Sequence, residues 1–423
     1  VLSDHFDRVT IIEKDRVHDR PESRPGQPHT RHLHGLLATG LEVMSSYFPD
    51  LPQALVEHGA VMGDPTANTQ WYTYGGYRQR FVSGLRGVTM SRPLLEYLIR
   101  ERVLALPQVK LIDRATVKQL VTTSDRQRVI AAIVESSELP LHPLCLSADL
   151  IVDATGRNSA TPKWLADLGY TPPQESEVEV NVGYATRLYH RDPNDPLSQT
   201  WFLNTPEAPQ ENRFGAMLPI EGDRWIVSVG GWHGDSAPTD EAGFLEFVRH
   251  LPSSDIYDLI SQAEPLSDII PFKFPANRRR HYERLSRFPA GYLVLGDAVC
   301  TFNPTYGQGM TVAALEAREL DRILGESISL DGLAPLFFRR ITGLVDISWQ
   351  MAVGEDFRYP QTAGIKPLGV DILNCYVAQV HRATLRDRLV GEAFVKVMNL
   401  IAPPVSLFHP QILWHVLTSL RAI

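Results

Sequence analysis

The sequence predicts an α/β protein: a dinucleotide-binding domain assembled from discontinuous pieces, an inserted antiparallel β-sheet substrate domain and a C-terminal helical region. Three observations predict it. Val9-Thr10-Ile11-Ile12, residues 148–154 and Tyr292-Leu293-Val294-Leu295 are short apolar runs of the kind that lie buried in parallel sheets. Residues 171–274 change texture to short alternating runs, the pattern of antiparallel strands. Residues 329–423 read as mostly helical. Parallel-type strands on both sides of a β-rich insertion imply one domain made of separated segments. The boundaries that follow are 1–170, 171–275, 276–328 and 329–423.

The elements follow in order. A polar loop rich in proline and glycine covers residues 14–31. Residues 33–48 place Leu36, Leu37, Leu41, Val43, Met44 and Phe48 on a helical pattern, which Pro49 and Pro52 end. Residues 71–82 alternate around Gly75-Gly76, a tight-turn signal, and read as a hairpin. Ser91 is a good N-cap for a helix over 92–106, with Pro93 in the first turn, where proline is tolerated. Strands are expected at 109–112, 115–121 and 129–135. The insertion carries alternating runs at 177–185, 200–203, 213–219 and 225–231, and a helix near 241–250. The strand ending at Leu295 leads through Gly296-Asp297 and a glycine-rich turn into a helix over 309–324.

Composition narrows the function classes. Of 423 residues, 43% are hydrophobic and 21% charged, which is ordinary globular usage and excludes a disordered chain. The net charge of −8 is a poor match to nucleic acid, which demands a basic stripe. The three cysteines, Cys145, Cys300 and Cys375, are scattered, which disfavours a disulfide framework or a cysteine-based zinc site and favours a reducing, cytoplasmic compartment. The uncharged stretch 397–420 is interrupted by Pro403, Pro404 and Pro410, so a continuous spanning helix is not expected. It reads as a buried helical layer, with peripheral membrane contact through Leu407, Phe408, Ile412, Leu413 and Trp414 as the alternative.

The residues that carry chemistry lie around Gly296. Glycine at the end of a buried strand lets backbone approach a ligand closely, and Asp297 follows where ligands bind in open α/β sheets. Gly307 and Gly309 then open a helix whose first N–H groups favour negative charge. Pro304 stiffens the approach. Glu13, ending the first strand, is placed to accept from a ribose hydroxyl; the G-x-G-x-x-G loop that pairs with such an acid lies about 20 residues upstream and is expected to fall before Val1.

The run Gly296-Asp297-Ala298, five residues, Pro304-Thr305-Tyr306-Gly307-Gln308-Gly309-Met310 resembles the second flavin motif of the FAD-dependent monooxygenases of the para-hydroxybenzoate hydroxylase type. Two other stretches are similar to that family: Ile11-Ile12-Glu13-Lys14-Asp15, and Ser91-Arg92-Pro93-Leu94-Leu95, whose arginine the resemblance places near the FAD diphosphate or ribose. The resemblance spans most of residues 1–330 and implies a Rossmann-like FAD-binding domain whose first strand and glycine-rich loop are missing from the chain. It implies cofactor contacts from Glu13, Arg92, Val117, Gly296, Asp297, Pro304, Gly307, Gln308, Gly309 and Met310. The implied reaction inserts one oxygen atom from O2 into an apolar aromatic or alkene substrate through a flavin C4a-hydroperoxide, with NADPH or NADH as electron donor. No catalytic residue is named, because the cofactor carries the chemistry. A prenyl double-bond reductase similar to the geranylgeranyl reductases, or a non-catalytic flavin-binding protein, are the alternatives.

One departure from the family stands in Asp153-Ala154-Thr155-Gly156, where Thr155 occupies the position of an aspartate linked to FAD and NAD(P)H binding. That weakens the expectation of direct reduction by a nicotinamide. His29, His32 and His34 cluster but lack a matching ligand set, so no metal is expected; a polar loop beside the flavin is the better reading. Arg278-Arg279-Arg280 reads as a solvated run, with nucleotide phosphate recruitment as its alternative. Cys300 reads as core filler. Trp201, Phe202, Phe214 and Trp225 are pocket candidates that also suit a plain core.

Overall fold

Val9–Ile12 pairs in parallel with Val109–Ile112, and Ile151–Asp153 pairs in parallel with Tyr292–Val294. The second pair joins residues far apart in sequence and closes the discontinuous domain. The computed structural model describes residues 1–137, 143–326 and 329–419. The strand expected over 148–154 is only three residues long, because Asp153 turns its carboxylate back on its own loop. The expected helix over 33–48 begins at Ala38; Gly35–Leu36 instead pairs with Gly87–Thr89. Ala115–Thr122, Val129–Ser136 and Leu144–Ser147 form an antiparallel meander.

Helix Arg92–Leu104 starts where its cap dictates: the Ser91 hydroxyl accepts from the Leu94 N–H at 3.2 Å. Leu94, Leu95 and Leu98 are buried against Leu51 and Leu55, each contributing roughly 1.5–3 kcal/mol by burial. Helix Gly309–Gly325 packs Val312, Leu320 and Ile323 with Phe337, Phe338 and Ile341 of the long helix Leu330–Asp356.

The large sheet runs in the order Cys300–Thr301, Ile270–Arg280, Glu175–His190, Arg224–Gly231, Arg213–Ile220, Trp201–Asn204, Thr69–Thr73, Gly76–Tyr77, with Ala363–Gly364 added on Glu175–His190. It therefore draws strands from well outside the insertion. Ile270–Arg280 passes without a break through residues 275 and 276. One face is covered by helices Glu241–Arg249 and Asp255–Ile260, packed on Phe202, Met217, Trp225 and Val227. Phe202 and Trp225 thus belong to that core and not to a pocket. The other face is open to a cavity.

The expected solvated arginine run is also corrected. Arg279 and Arg280 are buried. Arg279 is ion-paired with Asp346 and Glu283, and Arg280 with Glu175. Arg280 also donates to the Ala298 and Arg157 carbonyls at 3.0 and 3.1 Å. Both guanidinium groups are thus paired inside the protein. Cys300 is buried, as a core filler should be.

Helices Val370–Ala383, Arg388–Met398 and Pro410–Ser419 close the C-terminal region around Val380, Val390, Phe394, Leu407, Ile412 and Val416. Among the described residues no helix is long and apolar enough to cross a membrane. Leu407 and Ile412 point inward, while Phe408 and Trp414 remain exposed.

Candidate functional site

A cavity of about 2350 Å³ lies between the parallel strands, the open face of the large sheet and the C-terminal helices. Single small-ligand sites occupy about 300–1,000 Å³, so this volume admits a large cofactor and a second molecule together. Glu13, Arg92, Val117, Gly296, Asp297, Pro304, Gly307, Gln308, Gly309 and Met310 all line it. Val1, Leu2 and His5 also line it.

The glycine turn is built by local chemistry. Asn303 caps the 3-10 turn Pro304–Tyr306 by accepting from the Thr305 N–H at 3.2 Å. Gly307 then takes φ +68, a left-handed conformation that favours glycine. A side chain added at Gly307 or Gly309 would meet no protein atom within 4 Å; it would project into open space instead. Gln308, just before the helix, is buried, and its Oε1 has no protein partner.

Arg92 is half-buried at the first position of its helix, and its Nε, closed off from solvent, has no partner. Burial pulls its pKa down, while Glu96 and Asp297 hold it up. Asp297 is shifted upward by burial, against the opposing pull of Arg92 and Arg157. An unpartnered guanidinium N–H, a backbone cradle without side chains and a helix N-terminus together fit an anionic dinucleotide such as FAD. Glu13 is already engaged: Arg24 reaches it at 3.0 Å, and the Asp15 N–H at 2.9 Å.

Asp153, Thr155, Glu316 and Asp356 complete the surroundings; the last two were not singled out in the sequence. Asp153 accepts from the Thr155 N–H and hydroxyl at 2.9 and 2.6 Å, and from the Ser159 hydroxyl at 2.6 Å. Thr155 is therefore spent on its own loop. Glu316 is buried two turns into helix Gly309–Gly325, and its Oε2 accepts from the Gly296 N–H at 2.6 Å. Burial raises its pKa to about 7. Asp356, at the end of a helix in another segment, accepts from Trp232, Asn303 and Tyr306 at 3.0, 3.0 and 2.8 Å, and from Asn277 at 2.7 Å. It moors both Asn303 and Tyr306 of the glycine turn. An isolated acid late in a long helix carries no sequence signal of such a role.

His29 and His34 line the cavity, while His32 is buried behind them, with Nδ1 2.8 Å from the Thr186 hydroxyl. Burial is the main cause of pKa values lowered to about 4, 4 and 3 for His29, His32 and His34. His34 Nδ1 donates to the His32 carbonyl at 2.9 Å, so in the neutral ring Nε2 accepts. Among the described residues no cluster suits a metal ion. Of the four aromatic candidates, Trp201 and Phe214 line the cavity.

The fold is similar to that of solved FAD-dependent monooxygenases and flavin-dependent halogenases. A probable FAD-dependent monooxygenase of Pseudomonas aeruginosa, PqsL, superimposes with a TM-score of 0.61 at 15% identity, over 83% of this chain and 90% of PqsL. The flavin-dependent brominase Bmp2 gives a TM-score of 0.65 at 12% identity, over 98% of this chain and 92% of Bmp2. The chain is 32% identical over 415 residues to the protein Rv3254 of Mycobacterium tuberculosis, covering 95% of this chain and 86% of Rv3254. It belongs to the family of that protein. No family model matches the sequence.

Proposed function

We propose that the chain is a FAD-dependent monooxygenase that inserts one atom of O2 into an apolar aromatic or alkene substrate. The observation that carries this reading is one continuous cavity lined by the glycine cradle with Arg92 and Asp297 and, elsewhere, mainly by apolar side chains such as Trp71, Leu203, Phe394 and Leu407. FAD, when bound, supplies the redox chemistry that activates oxygen. The chain's own residues do the rest. Arg92 and the helix N-terminus at Gly309 bind negative charge. The backbone from Gly307 to Met310 sets the approach of the ring system. Trp71, Leu203, Phe214, Phe394 and Leu407 exclude water from the substrate. NADPH or NADH belongs to the proposal as electron donor.

The test is an anaerobic titration of the FAD-loaded protein with NADPH, followed by oxygen admission with a panel of apolar arenes and alkenes. Bleaching of the flavin band by NADPH and labelled oxygen in the product from 18O2 are expected. Saturated product without oxygen uptake would indicate a double-bond reductase. A flavin band that no donor can bleach would indicate a binding protein.

A further inference from the structure

We infer that the apolar end of the cavity recognises a single oxygen function on its substrate through the Thr73 hydroxyl and the Nε2–H of His381. The inference rests on the proposed use of that end for substrate, and not on oxygen transfer itself.

Thr73 ends the strand Thr69–Thr73. Residues 69, 71 and 73 line the cavity and residues 70 and 72 do not, so alternation turns the Thr73 side chain inward. It is 1% exposed, and its Oγ1 has no partner. A hydroxyl left unpaired in an apolar surrounding is costly unless something else completes it.

His381, on helix Val370–Ala383, is stacked on Tyr74, the residue that follows Thr73, at 5.1 Å with 12° between the rings. Arg78 Nη2 lies 2.7 Å from its Nδ1. A guanidinium only donates, so Nδ1 accepts and the ring proton sits on Nε2. Burial and the nearby Arg78, Arg358 and Arg382 keep this imidazole neutral. Nε2 is 4.0 Å from the Glu355 carboxylate, too far for a hydrogen bond. Among the described residues Nε2–H has no acceptor, yet His381 lines the cavity.

The support around this pair is elaborate for a plain core. Arg78 is sandwiched between the Trp71 and Phe394 rings at 4.1 and 4.3 Å and is held by Thr384 at 2.5 Å. Tyr74 is kept at φ +49, a left-handed conformation that an aromatic residue adopts at a cost. Two unpartnered polar groups in a mainly apolar wall, which Asn204, Glu355 and Asn374 also line, suit a ketone, enol or phenol on a hydrocarbon frame. A bare hydrocarbon would leave both unpaired.

The experiment compares 1-naphthol and naphthalene binding to the FAD-loaded protein by calorimetry, so oxygen chemistry plays no part in the readout. Naphthol is expected to bind at least about tenfold tighter, and Thr73→Val or His381→Gln each to erase about fivefold to tenfold of that preference. Thr73→Ser, which keeps the hydroxyl, retains the preference. Thermal melting of each variant confirms that it is folded. Equal affinity for the two probes, binding of neither, or an undiminished preference in Thr73→Val and His381→Gln overturns the inference. Failure of the 18O2 experiment with this preference intact would instead count against the monooxygenase reading alone.

Discussion

Gly307 and Gly309 sit two residues apart in one turn but differ in what they do. Gly307 holds a positive φ, and alanine there costs roughly 1–2 kcal/mol in backbone strain. Gly309 has no such demand, and a methyl group on it meets no protein atom. Gly309→Ala is therefore expected to melt like the parent protein yet retain less FAD through purification. Gly307→Ala should lose both thermal stability and flavin. Full flavin retention in Gly309→Ala would remove that residue from the cradle. Glu316 is a second case of chemistry decided by surroundings. Its upward shift from the ordinary 4.5 to about 7 follows from burial beside Asp297, with only the Gly296 N–H opposing it.

The long helix Leu330–Asp356 shows how one element can govern another. Its last residue receives four hydrogen bonds from three different segments, and two of the donors belong to the glycine turn. Asp356→Ala would leave the Trp232, Asn277, Asn303 and Tyr306 donors without an acceptor. A loss of at least about 3 kcal/mol in urea unfolding is expected, accompanied by weaker flavin binding. A change below about 1 kcal/mol, with flavin affinity intact, would show that the turn holds itself in place. Helix Arg92–Leu104 is the simpler counterpart. Its start was legible, since a serine cap followed by proline in the first turn acts only on the next few residues.

The buried histidines and Glu316 pull the pH dependence of the entire molecule in opposite directions. His29, His32 and His34 have folded pKa values below the ordinary 6.5, so the folded state binds fewer protons than the unfolded one. Their contribution is full above pH 6.5 and is lost as pH falls toward about 4. Glu316 is raised from 4.5 to about 7, so its contribution is full below pH 4.5 and is lost as pH rises through 7. Melting temperatures are expected to fall from pH 6.5 to 4 and to decline mildly from pH 5 toward 8 once the histidine contribution is removed. Glu316→Gln should abolish the second slope and leave the first. A profile of Glu316→Gln superimposable on the parent would contradict this account.

Much of the wall around the glycine turn could be read in one dimension. The strand Tyr292–Val294, the turn after it and the helix Gly309–Gly325 follow from a short apolar run, a proline and glycine where φ is positive, all of which act within a few residues. The large sheet could not be read that way. Nothing local assigns Phe202 and Trp225 to one face of the sheet and Phe214 to the other, because strand 201–204 takes its register from Thr69–Thr73 and Arg213–Ile220. Arg279 and Arg280 resembled surface charges until Asp346, Glu283 and Glu175 were brought to them from other segments. Asp356, Arg78 and His381 acquire their roles in the same way. Backbone preference is a property of a residue and its neighbours, whereas desolvation and pairing depend on which distant residues the folded chain brings together.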